Sequence, residues 1–190
     1  MLVLLVAGCG RPDVAAPPND AGTVATPAVG DETPRAAVHG DDRAAPTRAA
    51  VRRMYDGYRA SAFAGVPDVD ASAARQRIAT GEVVLVDCRE PAEQAVSMIA
   101  GAVPRADFDA DSEAYRGRTV VVYCTIGYRS GVYAGELREA GVDAINLIGG
   151  VLGWSHIGGS FVDESGGETR RVHVYGATWD LLAEGYESVY

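Results

Sequence analysis

The sequence is poor in the residues from which metal and redox centres are built. It has three cysteines, Cys9, Cys88 and Cys124, an odd number whose spacing forms neither a zinc-ligand set nor a CxxC pair. Its three histidines, His39, His156 and His173, are scattered and make no HExxH or paired-ligand pattern. No metal and no other cofactor is therefore expected. Blocks of basic charge are also missing, and the formal net charge of -9 gives a surface that repels phosphate backbones, so nucleic acid is not an expected partner. The apolar run that opens the chain, Met1 to Gly8 (MLVLLVAG), is far short of the ~20 residues a membrane-spanning helix needs. At 190 residues there is room for one ordinary domain with extra segments, and not for two full domains.

What is present begins with that apolar run. Val6-Ala7-Gly8-Cys9 resembles the lipobox of bacterial lipoproteins, although no basic residue precedes it. The resemblance implies a lipid on Cys9 and attachment to a membrane on the extracytoplasmic face of the cell envelope, with residues 1–9 as the signal remnant and lipobox. Residues 10–50 are rich in Ala, Pro, Asp, Gly and Thr without hydrophobic periodicity. Such a segment buries too little apolar surface to offset its conformational entropy, and it is expected to be a disordered tether.

A folded domain is expected over 51–163. Val51 to Ala64 reads as a leading helix weakened by Gly57, and the stretch after Asp70 as a helix stopped by Gly81. Val83 to Val86 is a short, β-branched apolar run of the kind found in buried parallel strands, Thr119 to Tyr123 reads as a second apolar strand, and Ala144 to Ile148 as a third strand. Helices are expected from Pro91 to about Val96, from Ser130 to Ala140 and around Trp154. Strands alternating with helices indicate an α/β fold with a parallel sheet flanked by helices. Ligands of such sheets sit beyond the carboxyl ends of the strands, where Asp87 and Cys124 are both expected.

The segment Cys124-Thr125-Ile126-Gly127-Tyr128-Arg129-Ser130 lies between a strand and a helix. A cysteine there faces the amides of a tight loop and the positive end of the next helix, and both favour an anionic, nucleophilic sulfur. Gly127 permits a backbone shape that other residues resist. Arg129 is placed to close the cradle as a fixed cation for an incoming anion. A persulfide on Cys124 uses the same geometry, its outer sulfur accepting from the loop amides.

With these residues in view, the chain resembles the rhodanese family over about residues 66–162. Asp87-Cys88-Arg89-Glu90-Pro91 is similar to the family's Asp-x-Arg-Glu-Pro segment. The strand ending in Cys124 and its loop resembles the family's active site, and Leu147-Ile148-Gly149-Gly150 with Trp154 resembles its late Gly-Gly turn. The resemblance implies a sulfurtransferase: Cys124 takes a sulfane sulfur from a small donor such as thiosulfate or a persulfide and passes it to a thiol, or to cyanide. Arg129 and the amides of Thr125, Ile126, Gly127, Tyr128 and Ser130 would bind the donor and hold the persulfide. Asp87, Arg89 and Glu90 would brace the loop. Met98 stands where many members carry a histidine, which changes the polarity of that turn.

Two alternatives remain open on the residues. One is a persulfide carrier or redox sensor that turns over slowly, with Cys88 as a small buried hydrophobe or as a resolving thiol. The other is a phosphatase or arsenate reductase, since phosphatases share the layout. Those enzymes place five residues between cysteine and arginine, whereas four separate Cys124 from Arg129. Residues 164–190 are expected to be a C-terminal extension packing on the domain. Arg171 to Tyr175 would form a strand in it, and Trp179, Leu181, Leu182 and Tyr186 would pack back on the body.

Overall fold

A computed structural model describes residues 44–190. The expectations for residues 1–9 and for Cys9, and the first part of the tether, lie outside the described residues. Along the chain, helix α1 (Ala44–Ala62) and strand β1 (Asp68–Val69) lead to α2 (Ala71–Ala79), β2 (Val83–Asp87) and α3 (Pro91–Val96). Then follow β3 (Met98–Ile99), β4 (Val103–Pro104), α4 (Arg105–Ala110), β5 (Thr119–Tyr123), α5 (Tyr128–Glu139), β6 (Ala144–Leu147) and α6 (Gly150–Ser155). The C-terminal part adds β7 (Phe161–Val162), β8 (Glu168–Thr169), β9 (Arg171–His173) and β10 (Glu187–Val189).

The central sheet has five strands in the order β1-β6-β5-β2-β4, and all of its pairings are parallel. Each apolar run was expected as a strand because both of its faces could be buried, and the packing shows why. Val83, Leu85, Val121 and Tyr123 enter one core cluster, while Val84, Val86, Val120 and Val122 enter the other. Fully burying each such side chain contributes roughly 1.5–3 kcal/mol, so the strands are fixed by having no wet face. Helices α2 and α6 cover the first face and α4 and α5 the second, while α1 reaches both, with Val51 in the first cluster and Tyr55 in the second.

Helix α1 departs from expectation at its start. It starts at Ala44, so the last residues of the expected tether (10–50) are helical. Pro46 sits in its first turn, where a missing amide costs nothing. Val51 is buried against the body, and Arg48 donates to the His156 carbonyl. Gly57 does not break the helix either, because buried Tyr55 on one side and Phe63 just beyond its end anchor the segment. Tertiary packing overrides the propensity of one glycine.

The C-terminal extension forms a parallel pair, β9 with β10. Val172, Val174 and Trp179 are buried in the same cluster as the central sheet. A separate antiparallel sheet joins β3, β7 and β8, with Met98 opposite Val162. Among the described residues, no helix is long and apolar enough to cross a membrane.

Candidate functional site

Strands β2, β5 and β6 run parallel and end at Asp87, Tyr123 and Leu147, so the three loops that follow meet at one edge. The middle loop carries Cys124, which is 1% exposed. Its Sγ accepts a hydrogen bond from the Gly127 amide at 3.2 Å. Gly127 caps α5 at φ 102°, in the left-handed region, and a Cβ there would lie 2.6 Å from the Tyr55 ring. The late glycine turn props the loop from below. Val151 and Leu152 donate to the carbonyls of Cys124 and Thr125 at 3.0 and 3.3 Å, and a Cβ on Gly150 would sit 2.1 Å from the Cys124 oxygen. Two glycines are thus required by close approach, one to the helix behind the loop and one to the loop itself.

A second support comes from β6. Asn146 is fully buried, donates to the Gly127 carbonyl at 2.8 Å and to the Tyr55 hydroxyl at 3.3 Å, and accepts from Ser130 Oγ at 2.7 Å. Tyr55 in turn donates to Asp68 at 3.2 Å. One amide side chain thereby ties the glycine of the loop, the first turn of α5 and helix α1 together.

Asp87 and Arg89 form an ion pair at 2.7 Å with both side chains out of solvent. Removing one member of such a pair typically costs about 3–5 kcal/mol, because the other charge is left buried. Asp87 also accepts from the Tyr123 hydroxyl at 2.7 Å, and Tyr123 Oη accepts from the Ile99 amide at 3.0 Å. Arg89 donates to the Ser97 carbonyl at 2.5 Å. These two residues therefore brace Tyr123, the neighbour of Cys124, and the chain after α3. Burial alone would push Arg89 down, but the charge and hydrogen bonds of Asp87 hold it above its ordinary value.

Arg129 is not a free cation. It makes two hydrogen bonds to Glu93, at 2.6 and 2.8 Å, and a longer one to Thr125 Oγ1 at 3.3 Å. Glu93 also accepts from the Glu90 amide at 3.0 Å and from Thr125 Oγ1 at 3.3 Å, so its buried carboxylate is well satisfied. Burial pushes the Glu93 carboxyl up, but the Arg129 hydrogen bonds and charge outweigh it and hold it below its ordinary range. Burial lowers Arg129 in the same way, and Glu93 together with the Cys124 sulfur more than restores it.

The remaining expected residues occupy distinct places. Ile126 is buried in the core, and Tyr128 packs edge-on against Tyr58 with ring centroids 5.4 Å apart. The Ser130 hydroxyl is turned inward to Asn146 rather than toward the sulfur. Glu90 is exposed and meets Glu93 through its backbone, its amide donating to the Glu93 carboxylate and its carbonyl accepting from the Glu93 amide at 2.9 Å. Cys88 continues the alternation of Val84 and Val86 into the second core cluster, and burial pushes its thiol well up, which suits a packing residue better than a resolving thiol. Among the described residues, no group of three or more His, Cys, Asp or Glu side chains is placed to hold a metal ion.

Glu93, Asn146, His173 and Tyr175 were not found by sequence reasoning, yet each left a trace. Glu93 follows Glu90 by three residues across Pro91, the spacing of a helix-start capping box. Asn146 is a lone polar residue inside an apolar strand. His173 and Tyr175 alternate with buried Val172 and Val174, so they lie on the face away from the core.

Residues 70–157 match the Rhodanese-like domain family. A sulfurtransferase of Allochromatium vinosum is 37% identical over 98 residues, covering 49% of this chain and 92% of that protein. An uncharacterized protein of Synechocystis sp. is 39% identical over 80 residues, covering 40% of this chain and 45% of the other. Among solved structures, a thiosulfate sulfurtransferase of Pseudomonas aeruginosa is similar with a TM-score of 0.49 and 21% identity, over 63% of this chain and 23% of that one.

Proposed function

This chain belongs to the rhodanese-like family, and from that premise we propose that it is a sulfurtransferase whose Cys124 carries a sulfane sulfur between a small donor and a thiol acceptor. The observation that carries the reading is the Gly127 amide aimed at Cys124 Sγ from 3.2 Å, in a loop held by Asn146 and the Gly149-Gly150 turn. An amide in that position donates equally to a thiolate or to a persulfide sulfur.

In the first half-reaction the Cys124 thiolate attacks the outer sulfur of the donor. The new S–S bond forms as the donor's own bond to that sulfur breaks; from thiosulfate the leaving group is sulfite, and from a hydropersulfide it is a thiolate. In the second, an acceptor thiolate or cyanide attacks the outer sulfur and Cys124 leaves as thiolate. Arg129 is already paired with Glu93, and Asp87 with Arg89, so the site's fixed charges largely cancel. A doubly charged donor gains little from such a site. A persulfide of low charge is the better fit, and thiosulfate serves as a slower laboratory donor.

The test is the intact mass of the chain after exposure to thiosulfate or to a persulfide donor, beside Cys124→Ser, followed by cyanide. One added sulfur atom on the unsubstituted chain only, released as thiocyanate, is the expected result. No gain with either donor would overturn the reading. The near-complete burial of Cys124 favours a second reading, a carrier with little turnover, and steady-state thiocyanate production distinguishes it from an efficient enzyme.

The lipobox-like Val6-Ala7-Gly8-Cys9 supports a lipid anchor that holds the domain on the extracytoplasmic face of the cell envelope. Metabolic labelling with a fatty-acid probe, lost in Cys9→Ala, checks it. Label that persists in Cys9→Ala, or is absent from both, would remove the anchor.

A further inference from the structure

Strand β9 and the residue after it are held by two buried valines, Val172 and Val174, and by the pairing of β9 with β10. Alternation then turns His173 and Tyr175 the other way, and on that side β9 packs against α3, the helix that carries Glu93. His173 Nδ1 stands 3.8 Å from Glu93 Oε1. The Tyr175 ring lies over the Arg129 guanidinium, 5.4 Å from its centre. Arg129 therefore has one edge on Glu93 and one face on an aromatic ring, and its side chain is only 17% exposed. Tyr175 as a whole is 47% exposed, which sets it at the rim of the site and not in the core.

The backbone at Tyr175 is unusual. Its φ of 71° makes it the one non-glycine residue with positive φ among those described, and its amide donates to His173 Nδ1 at 3.1 Å. A bulky residue in the left-handed region costs free energy, and it persists where surrounding structure enforces it. Here the enforcing groups are the two valines below, the imidazole acceptor and the guanidinium under the ring. The neutral imidazole needed to accept that bond is favoured: burial lowers His173, Glu93 raises it, and Arg89 and Arg129 lower it, with a net shift downward.

Resting on the sulfurtransferase reading, we propose that Tyr175 of the C-terminal extension is a specificity-determining residue of the Cys124 site. It acts as a size filter: its ring over Arg129 narrows the approach to the buried sulfur, admitting small linear donors and acceptors and holding back bulky thiols. The filter belongs to the extension and not to the central sheet, so it is a property of this chain's own C-terminal residues.

The experiment compares the full chain with Tyr175→Gly and Tyr175→Phe. Glycine accepts positive φ without strain, so it removes the ring while keeping the turn. Two ratios are measured. The first is kcat/KM for glutathione over that for cyanide as acceptor. The second is the rate of Cys124 alkylation by a bulky fluorescein maleimide over that by iodoacetamide, read on the Cys124 peptide. In Tyr175→Gly both ratios rise by about fivefold or more, while Tyr175→Phe stays within about twofold of the unsubstituted chain. An unchanged alkylation ratio in Tyr175→Gly, or a rise of the same size in Tyr175→Phe, would overturn the filter. Alkylation does not depend on sulfur transfer. A chain that shows the alkylation shift but loads no sulfur would retain the filter and lose the sulfurtransferase reading.

Discussion

Replacing Asn146 by leucine tests whether the Cys124 loop is held from behind. Leucine has similar bulk and no polar atoms, so the fully buried site loses three hydrogen bonds without a large cavity. Tyr55 keeps its bond to Asp68, and the Gly127 carbonyl still accepts from the Gly131 amide at 3.1 Å, which leaves the Ser130 hydroxyl as the orphaned group. Each buried unsatisfied group costs about 1–3 kcal/mol. Ser130 sits in the first turn of α5 and can turn back to a nearby backbone carbonyl, so the loss comes mainly from the three broken bonds, at about 1 kcal/mol each or about 3 kcal/mol in all. For a domain of this size that is a fall of roughly 6–12 °C in Tm. The same change removes one of the two bonds to the Gly127 carbonyl and lets the Gly127 amide drift from Cys124 Sγ, so single-turnover sulfur loading slows by about tenfold. Urea unfolding gives the first quantity and time-resolved intact mass the second. Ser130→Ala should cost only about 1 kcal/mol alone, and nearly nothing on the Asn146→Leu background, because its partner is already gone. Stability within about 1 kcal/mol of the unsubstituted chain would refute the network. A full stability loss with unchanged loading would refute the link from Asn146 to the sulfur.

Two further outcomes follow from the same geometry. Gly150→Ala places a methyl group against the Cys124 carbonyl at a positive φ, where both the space and the backbone forbid it. It should lower stability by about 3 kcal/mol or more in chemical denaturation, whereas Gly57→Ala, in the open middle of α1, should raise it slightly. The Glu93 carboxyl is depressed in the folded chain from an ordinary value of 4.5. Its contribution to stability is thus fully present above that value and is lost as pH falls through the folded value. Glu93→Gln should remove this acid-side stability slope, as measured by unfolding at a series of pH values below about 5.

The sheet was legible in the sequence because its cause is local. Val83 to Val86 and Val120 to Tyr123 are apolar at consecutive positions, and Ala144 to Ile148 is so at all but Asn146, as suits strands buried on both faces. The position of Cys124 at a strand end, with Gly127 and Arg129 after it, was equally readable, since strand, loop and helix follow one another in the chain. What surrounds the sulfur was not readable from that order. Arg129 and Glu93 are 36 residues apart, and Asn146 and Gly127 are 19 apart. The pattern showed a cation beside the cysteine, and tertiary packing supplied the carboxylate that pairs with it. Likewise the extension was recognisable as a segment that packs back, because Trp179, Leu181, Leu182 and Tyr186 are large and largely apolar, and all four pack on the core cluster. Its register against α3, set by which side chains fill the core, decided that His173 and Tyr175 would face the site. Composition and period fix which residues are buried and on which element. The convergence of charges and rings from distant elements depends on how those buried faces dock, and only the folded chain expresses that.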